Sequence, residues 1–205
     1  RCALLNVYYN GTADDWMNIS FLTATNYDFD SDPHDNSGTT HTTTYASGPN
    51  LCFTEQSKLY FFQDGAYNAP SSITVNNNVE LKGYGQFAFC AQIRNVYWYQ
   101  TEKEVPNYMF YRSKVSYLSF TNPPMRVGLG SFSYTDIRNL SFPYRENGVR
   151  LMSAFNECDS LINVNLNNVY ELSGTFKGCS NLTEITIPVG VGIIINDVFY
   201  NATSL

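Results

Sequence analysis

Apolar residues in this chain recur at a spacing that is neither helical nor simply alternating. In Phe176–Pro188 (FKGCSNLTEITIP), Phe176 is followed by Cys179 at +3, Leu182 at +6, Ile185 at +9 and Ile187 at +11. An amphipathic helix repeats every 3.6 residues and a strand every 2, so neither fits the whole stretch. The spacing predicts one turn of a solenoid: a buried aromatic, a small residue, a leucine, then a short strand with Ile185 and Ile187 facing inward. A single turn cannot bury its own apolar face, so the pattern must recur.

It does recur. Aligned on the aromatic, the copies start at Phe87, Phe110, Phe132, Phe155, Phe176 and Phe199, with steps of 23, 22, 23, 21 and 23. The +3 position holds Cys90, Ser113, Thr135, Cys158, Cys179 and Ala202, all small. Leucine position and inward strand pair read Ile93, Val96, Trp98; Leu161, Val164, Leu166; and Leu182, Ile185, Ile187. Two copies are one residue shorter there, giving Val115, Leu118, Phe120 and Ile137, Leu140, Phe142. A period of about 22 lies in the leucine-rich-repeat range. The fold expected is a β-rich repeat solenoid of leucine-rich-repeat type, with short parallel strands and little helix. Its structural core contains Trp16 and the aromatic series Phe87, Phe110, Phe132, Phe155, Phe176 and Phe199.

Residues 1–21 precede the repeats. Leu5–Tyr9 alternates like a strand, Asn10-Gly11 signals a turn, and Thr12 can cap a short helix with Asp14 and Asp15 in its first turn. Trp16 and Ile19 share one face and should pack back on the strand. Residues 22–50 lose all apolar periodicity and read as a long polar loop. Residues 51–205 form the solenoid, opened by a strand at Leu59–Phe62, a Gln63-Asp64-Gly65 turn, a strand at Ser72–Val75 and an inward pair at Val79 and Leu81. The chain begins at Arg1 and stops at Leu205 within a repeat, and so reads as a piece of a longer protein.

Composition narrows the function. The 205 residues are 43% apolar, 16% aromatic and 15% charged, which supports a sizeable core. A net charge of −6 argues against nucleic acid as the main partner, because phosphate binding needs a positive surface. No apolar run approaches the roughly 20 residues of a membrane helix. Five cysteines lack a C-x-x-C pair, which leaves no recognisable zinc or redox motif. Three of them share the +3 position, and Cys2 and Cys52 can form a disulfide. Asp28, Asp30, Asp32 and Asp35 offer clustered oxygens to calcium, but Pro33 and Thr39 break the EF-hand pattern. A solvated acidic loop with at most an adventitious calcium is the reading; no other cofactor is expected. His34 and His41 lie in the same loop without metal-ligand spacing.

Between the inward positions lie residues expected to face outward in two columns. One is Asn95, Tyr117, Asn139, Asn163 and Glu184; the other is Tyr97, Ser119, Ser141, Asn165 and Thr186. Asn, Ser and Tyr give adaptable hydrogen bonding and aromatic platforms, which suit a ligand-binding face. Any solvent-facing sheet in a chain of this composition would look similar. Residues 94–150 are locally basic and interleaved with aromatics, so an acidic glycan partner is conceivable. No nucleophile elbow, phosphate loop or H-E-x-x-H is present, so the chain is not expected to be an enzyme.

The pattern F-x-x-C-x-x-L-x-x-I-x-I-P resembles the BspA-like leucine-rich repeats of bacterial, protozoan and phage surface proteins. Tyr9–Trp16 (YNGTADDW) is similar to the Y-x-G-T-x-x-x-W element that ends a repeat block in such proteins, and Lys58–Val79 to the strands that open the next. The resemblance implies extracellular, cell-surface or virion-surface recognition, with a host or neighbouring protein or glycan as partner and no catalytic residue to transfer. An alternative is a structural subunit of an assembly, such as a phage fibre, decoration protein or appendage, packed against copies of itself.

Overall fold

A computed structural model describes residues 4–19 and 53–205. In chain order its elements are β1 (Leu4–Tyr9), α1 (Ala13–Met17), β2 (Phe53–Gln63), β3 (Ala66–Asn68), β4 (Ser72–Val75), β5 (Asn95–Trp98), β6 (Tyr117–Phe120), β7 (Arg126–Val127), β8 (Asn139–Leu140), β9 (Val149–Met152), β10 (Asn163–Val164), β11 (Val169–Ser173) and β12 (Ile193–Ile195). The chain is a β-solenoid with parallel strands and almost no helix.

The aromatic series forms a continuous stack through its centre. Neighbouring rings from Phe87 to Phe199 lie 5.2 to 6.3 Å apart with interplanar angles of 19° or less. Phe87 to Phe176 are fully buried, while Phe199 at the far end is half-buried. Each buried phenylalanine contributes about 1.5–3 kcal/mol through the area removed from water, and each ring pair adds about 0.5–1.5 kcal/mol. The backbone repeats the same order. Each stacked phenylalanine up to Phe176 donates its N–H to the carbonyl just before the next, as in Phe110 to Ser131 at 2.8 Å and Phe132 to Ala154 at 2.9 Å.

Two left-handed residues flank every rung. The position two before each phenylalanine (Gly85, Tyr108, Gly130, Ser153, Gly174, Asp197) and the position two after it (Phe89, Arg112, Tyr134, Glu157, Gly178, Asn201) all have φ between 45° and 72°. These pairs turn the chain sharply on either side of the stack. Most carry a side chain, at a cost of roughly 1–2 kcal/mol each for leaving the right-handed regions. The turn-to-turn hydrogen bonds hold them there, for example from Phe89 N–H to Tyr111 O at 2.8 Å and from Arg112 N–H to Ser133 O at 2.9 Å.

Each turn contributes two strands in place of the single strand expected. The first sheet runs β4-β5-β6 and continues as β8-β10; the second runs β7-β9-β11-β12, joined by a bridge from Val105 to Val127. Val127, Leu151 and Leu172 point inward in register, and Val149 and Val169 form a second buried pair; the second set escapes sequence pattern because its strands differ in length and β11 carries a register shift between Val169 and Glu171. β4 pairs with β5, so the first sheet starts one rung before the Phe87 copy. Val79 is buried as expected, but Leu81 is not in a strand: it is half-buried at φ 54°. The last expected strand is also absent. Residues 184–187 do not join the ladder of β10, Ile185 is half-buried and Ile187 is 40% exposed, with no described strand of this sheet on their far side.

The other end is closed. β1 pairs in parallel with β2, and β2 and β3 make a hairpin around Asp64-Gly65, both at positive φ as a two-residue turn requires. Thr12 caps α1 in a capping box with Asp15. Hydrogen bonds from Thr12 hold the Asp15 carboxyl below its usual range. Trp16 donates its indole N–H to Gln86 O at 2.8 Å and packs edge-on against Phe61, which in turn meets Phe87 edge-on at 6.5 Å.

Candidate functional site

The solvent side of the first sheet presents Asn, Ser, Thr and Tyr side chains. Register makes Ser72, Asn95 and Tyr117 one row and Thr74, Tyr97 and Ser119 the next. Asn139 and Asn163 continue the first row. Ser72 and Thr74 were not among the residues expected here. They follow no Phe-x-x-C signal, and only the pairing of β4 with β5 reveals them. Tyr117, Asn139, Ser141, Asn163, Asn165, Glu184 and Thr186 are exposed, whereas Asn95, Tyr97 and Ser119 are half-buried.

Part of this chemistry is spent between rungs. Asn95 donates to Ser72 Oγ at 3.1 Å, and Asn163 donates to Asn139 Oδ1 at 2.7 Å. Tyr97 and Tyr117 lean on one another with ring centres 5.7 Å apart. Polar side chains, the Asn139–Asn163 pair among them, also gather where residues 184–186 run beside β10 without joining it. There Asn139, Ser141, Asn163, Asn165, Glu184 and Thr186 line an open depression of about 310 Å³ with Ile162 and Ile185 at its side. Six of the ten expected contact residues are therefore brought together, and Asn95, Tyr97, Tyr117 and Ser119 form a separate patch on the earlier rungs.

The +3 residues turn inward and form a chain of small groups under the stack. Ser113 and Thr135 donate to Phe110 O and Phe132 O, each at 2.7 Å. Cys158 and Cys179 donate to Phe132 O and Phe155 O at 3.1 and 3.2 Å. Burial pushes the Cys158 thiol up to about 11 and raises Cys90 and Cys179 as well. Such thiols stay protonated at neutral pH and lack the thiolate needed of a nucleophile or metal ligand. No metal-binding cluster occurs among the described residues. Asp28, Asp30, Asp32, Asp35, His34, His41, Cys2 and Cys52 lie outside the described residues. No helix among the described residues is long and apolar enough to cross a membrane.

A feature that spacing did not suggest lies on the turn side. Phe89, Tyr111 and Tyr134 form an edge-to-face series at 5.7 and 5.5 Å, with the Arg112 guanidinium 4.4 Å from the Tyr134 ring centre. Its members sit at or beside the left-handed corners, so it knits adjacent turns together.

Comparison with curated proteins and with solved structures returned no significant match. A family profile does match: the BspA type leucine rich repeat region, in 6 copies, over residues 56–151 and 103–205. Leucine-rich-repeat solenoids are typically non-enzymatic scaffolds, and this family is commonly found in surface proteins. With repeats covering most of its length, the chain belongs to the BspA-type leucine-rich-repeat family.

Proposed function

We propose that this solenoid is a non-enzymatic recognition module of a cell or virion surface, engaging a protein or glycan through the solvent side of its first sheet. The observation that carries this reading is the depression where Asn139, Ser141, Asn163, Asn165, Glu184 and Thr186 converge. Its walls mix hydrogen-bonding groups with apolar ones such as Ile162 and Ile185, and a preformed concave site on a repeat scaffold limits the ordering cost of binding. The test is a binding screen of the protein against matrix proteins and glycans, repeated with Asn163→Ala and Tyr97→Ala combined. Loss of the ligand in the double variant supports the reading, and unchanged binding sinks it for this face.

A structural role in an assembly is favoured by a different observation. Ile187, Val189, Ile194 and Ile195 are exposed together around the last rungs, where a second copy could cover them. Light scattering decides: a monodisperse monomer at high concentration removes this alternative.

A further inference from the structure

We infer that the rim of the first sheet at Arg94, Lys114 and Arg138 is a site for an anionic polysaccharide, an inference that rests on the recognition reading and gives it a ligand class. Arg94 stands immediately before β5 and Arg138 immediately before β8, with the β6 rung between them. Their backbones are fixed, because Arg94 O accepts from Tyr117 N–H at 3.0 Å and Arg138 O from Ile162 N–H at 3.0 Å. Two strand spacings separate the two guanidinium stems by about 10 Å. Lys114 joins them: Arg94 donates to Lys114 O at 3.2 Å, and both cations lie 3.9 Å from Asp136.

Asp136 is the one carboxylate paired with Arg94 and Lys114, and Arg138 adds a third positive charge two residues on; the next acid in the same turn position is Asp159, one rung on. The Arg138 guanidinium makes no ion pair or hydrogen bond among the described residues. This local excess persists in a chain of net charge −6, since exposed charges are screened over about 8 Å at physiological salt. The rim borders Tyr117, 51% exposed, and its neighbour Tyr97. Ring faces beside spaced cations suit a polymer of sugar rings bearing a sulfate or carboxylate in each disaccharide. An acidic peptide fits less well, because strand addition needs an open edge and β5 is paired on both sides.

Immobilised heparin at about 50 mM salt, where screening is weak, tests the inference on the intact chain. The protein is expected to be retained despite its net negative charge, and free heparin to elute it. Arg94→Ser and Arg138→Ser should each weaken binding about fivefold, the scale expected for one basic residue at an anionic surface. Arg150→Ser removes the same charge from the exposed side of β9 in the second sheet and should leave binding unchanged. Thermal melts of the three variants confirm that each is folded. Failure of the wild type to bind overturns the inference, as does an equal loss in Arg150→Ser or equally tight binding of poly-glutamate. A neutral ligand that depends on Tyr97 and Asn163, found in a protein that ignores heparin, would overturn this inference and leave the recognition reading intact.

Discussion

The first and the last described rungs of the solenoid are covered very differently. At the first rung the stack is closed by Trp16 of α1, Phe61 and Tyr9, edge-on to one another. At the last described rung no such cap is laid over the strands, and Ile194 and Ile195 are exposed. Ile194 pairs with Leu172, which is fully buried, yet is itself 49% exposed. Equivalent residues thus differ in burial because of their neighbours alone. In a repeat fold, stability is a sum of contacts with adjacent turns, and a terminal position holds half of them.

Substitutions that separate the two ends are the strongest test. Trp16→Ala should destabilise by about 3–5 kcal/mol, because it removes a buried indole and leaves Gln86 O without its donor. Denaturant unfolding should show a lower midpoint, and a change below about 1 kcal/mol would mean that the closed end is not closed by this residue. Leu172→Ala should cost about 2–5 kcal/mol, while Ile194→Ala, one rung on, costs at most about 1 kcal/mol. Equal losses at these two positions would break the comparison.

The middle of the molecule gives smaller effects that sharpen it. Gly130→Ala should cost about 1–2 kcal/mol, since φ is 61° and the new Cβ would lie 2.6 Å from the Tyr108 ring. Circular dichroism melting would show this as a lower transition temperature. The buried thiols make stability fall in alkali. Above about pH 8.5 the unfolded chain releases protons that folded Cys158 keeps up to about pH 11, so each such thiol costs about 1.4 kcal/mol per pH unit across that window. Cys158→Ser should flatten that arm of the pH–stability curve. At neutral pH, Cys179→Ser should lie within about 1 kcal/mol of wild type, because Phe155 O is in place to accept and Ser113 already fills the equivalent site.

How much of this was legible depended on whether a position repeats its chemistry. The stacked phenylalanines and the small +3 residues do so, and the fold could be read from them. The corners do not: Tyr108, Ser153, Arg112, Tyr134 and Glu157 adopt left-handed backbone without the glycine or asparagine that usually announces it. Hydrogen bonds between turns impose that conformation, and no local propensity encodes them. The binding face was legible as columns, but its depression was not. It depends on residues 184–186 failing to pair with β10, whereas the alternation of Glu184 to Ile187 reads as one more strand.

The corner residues have one further consequence. They clamp the five residues around each phenylalanine, and the arcs between the clamps are left to vary. Spacing from one phenylalanine to the next ranges from 21 to 23 residues, yet the rings stay stacked. The pitch of the coil is therefore decoupled from its circumference. An arc can gain or lose a residue, and with it change what the surface presents, while the register of every later rung is preserved.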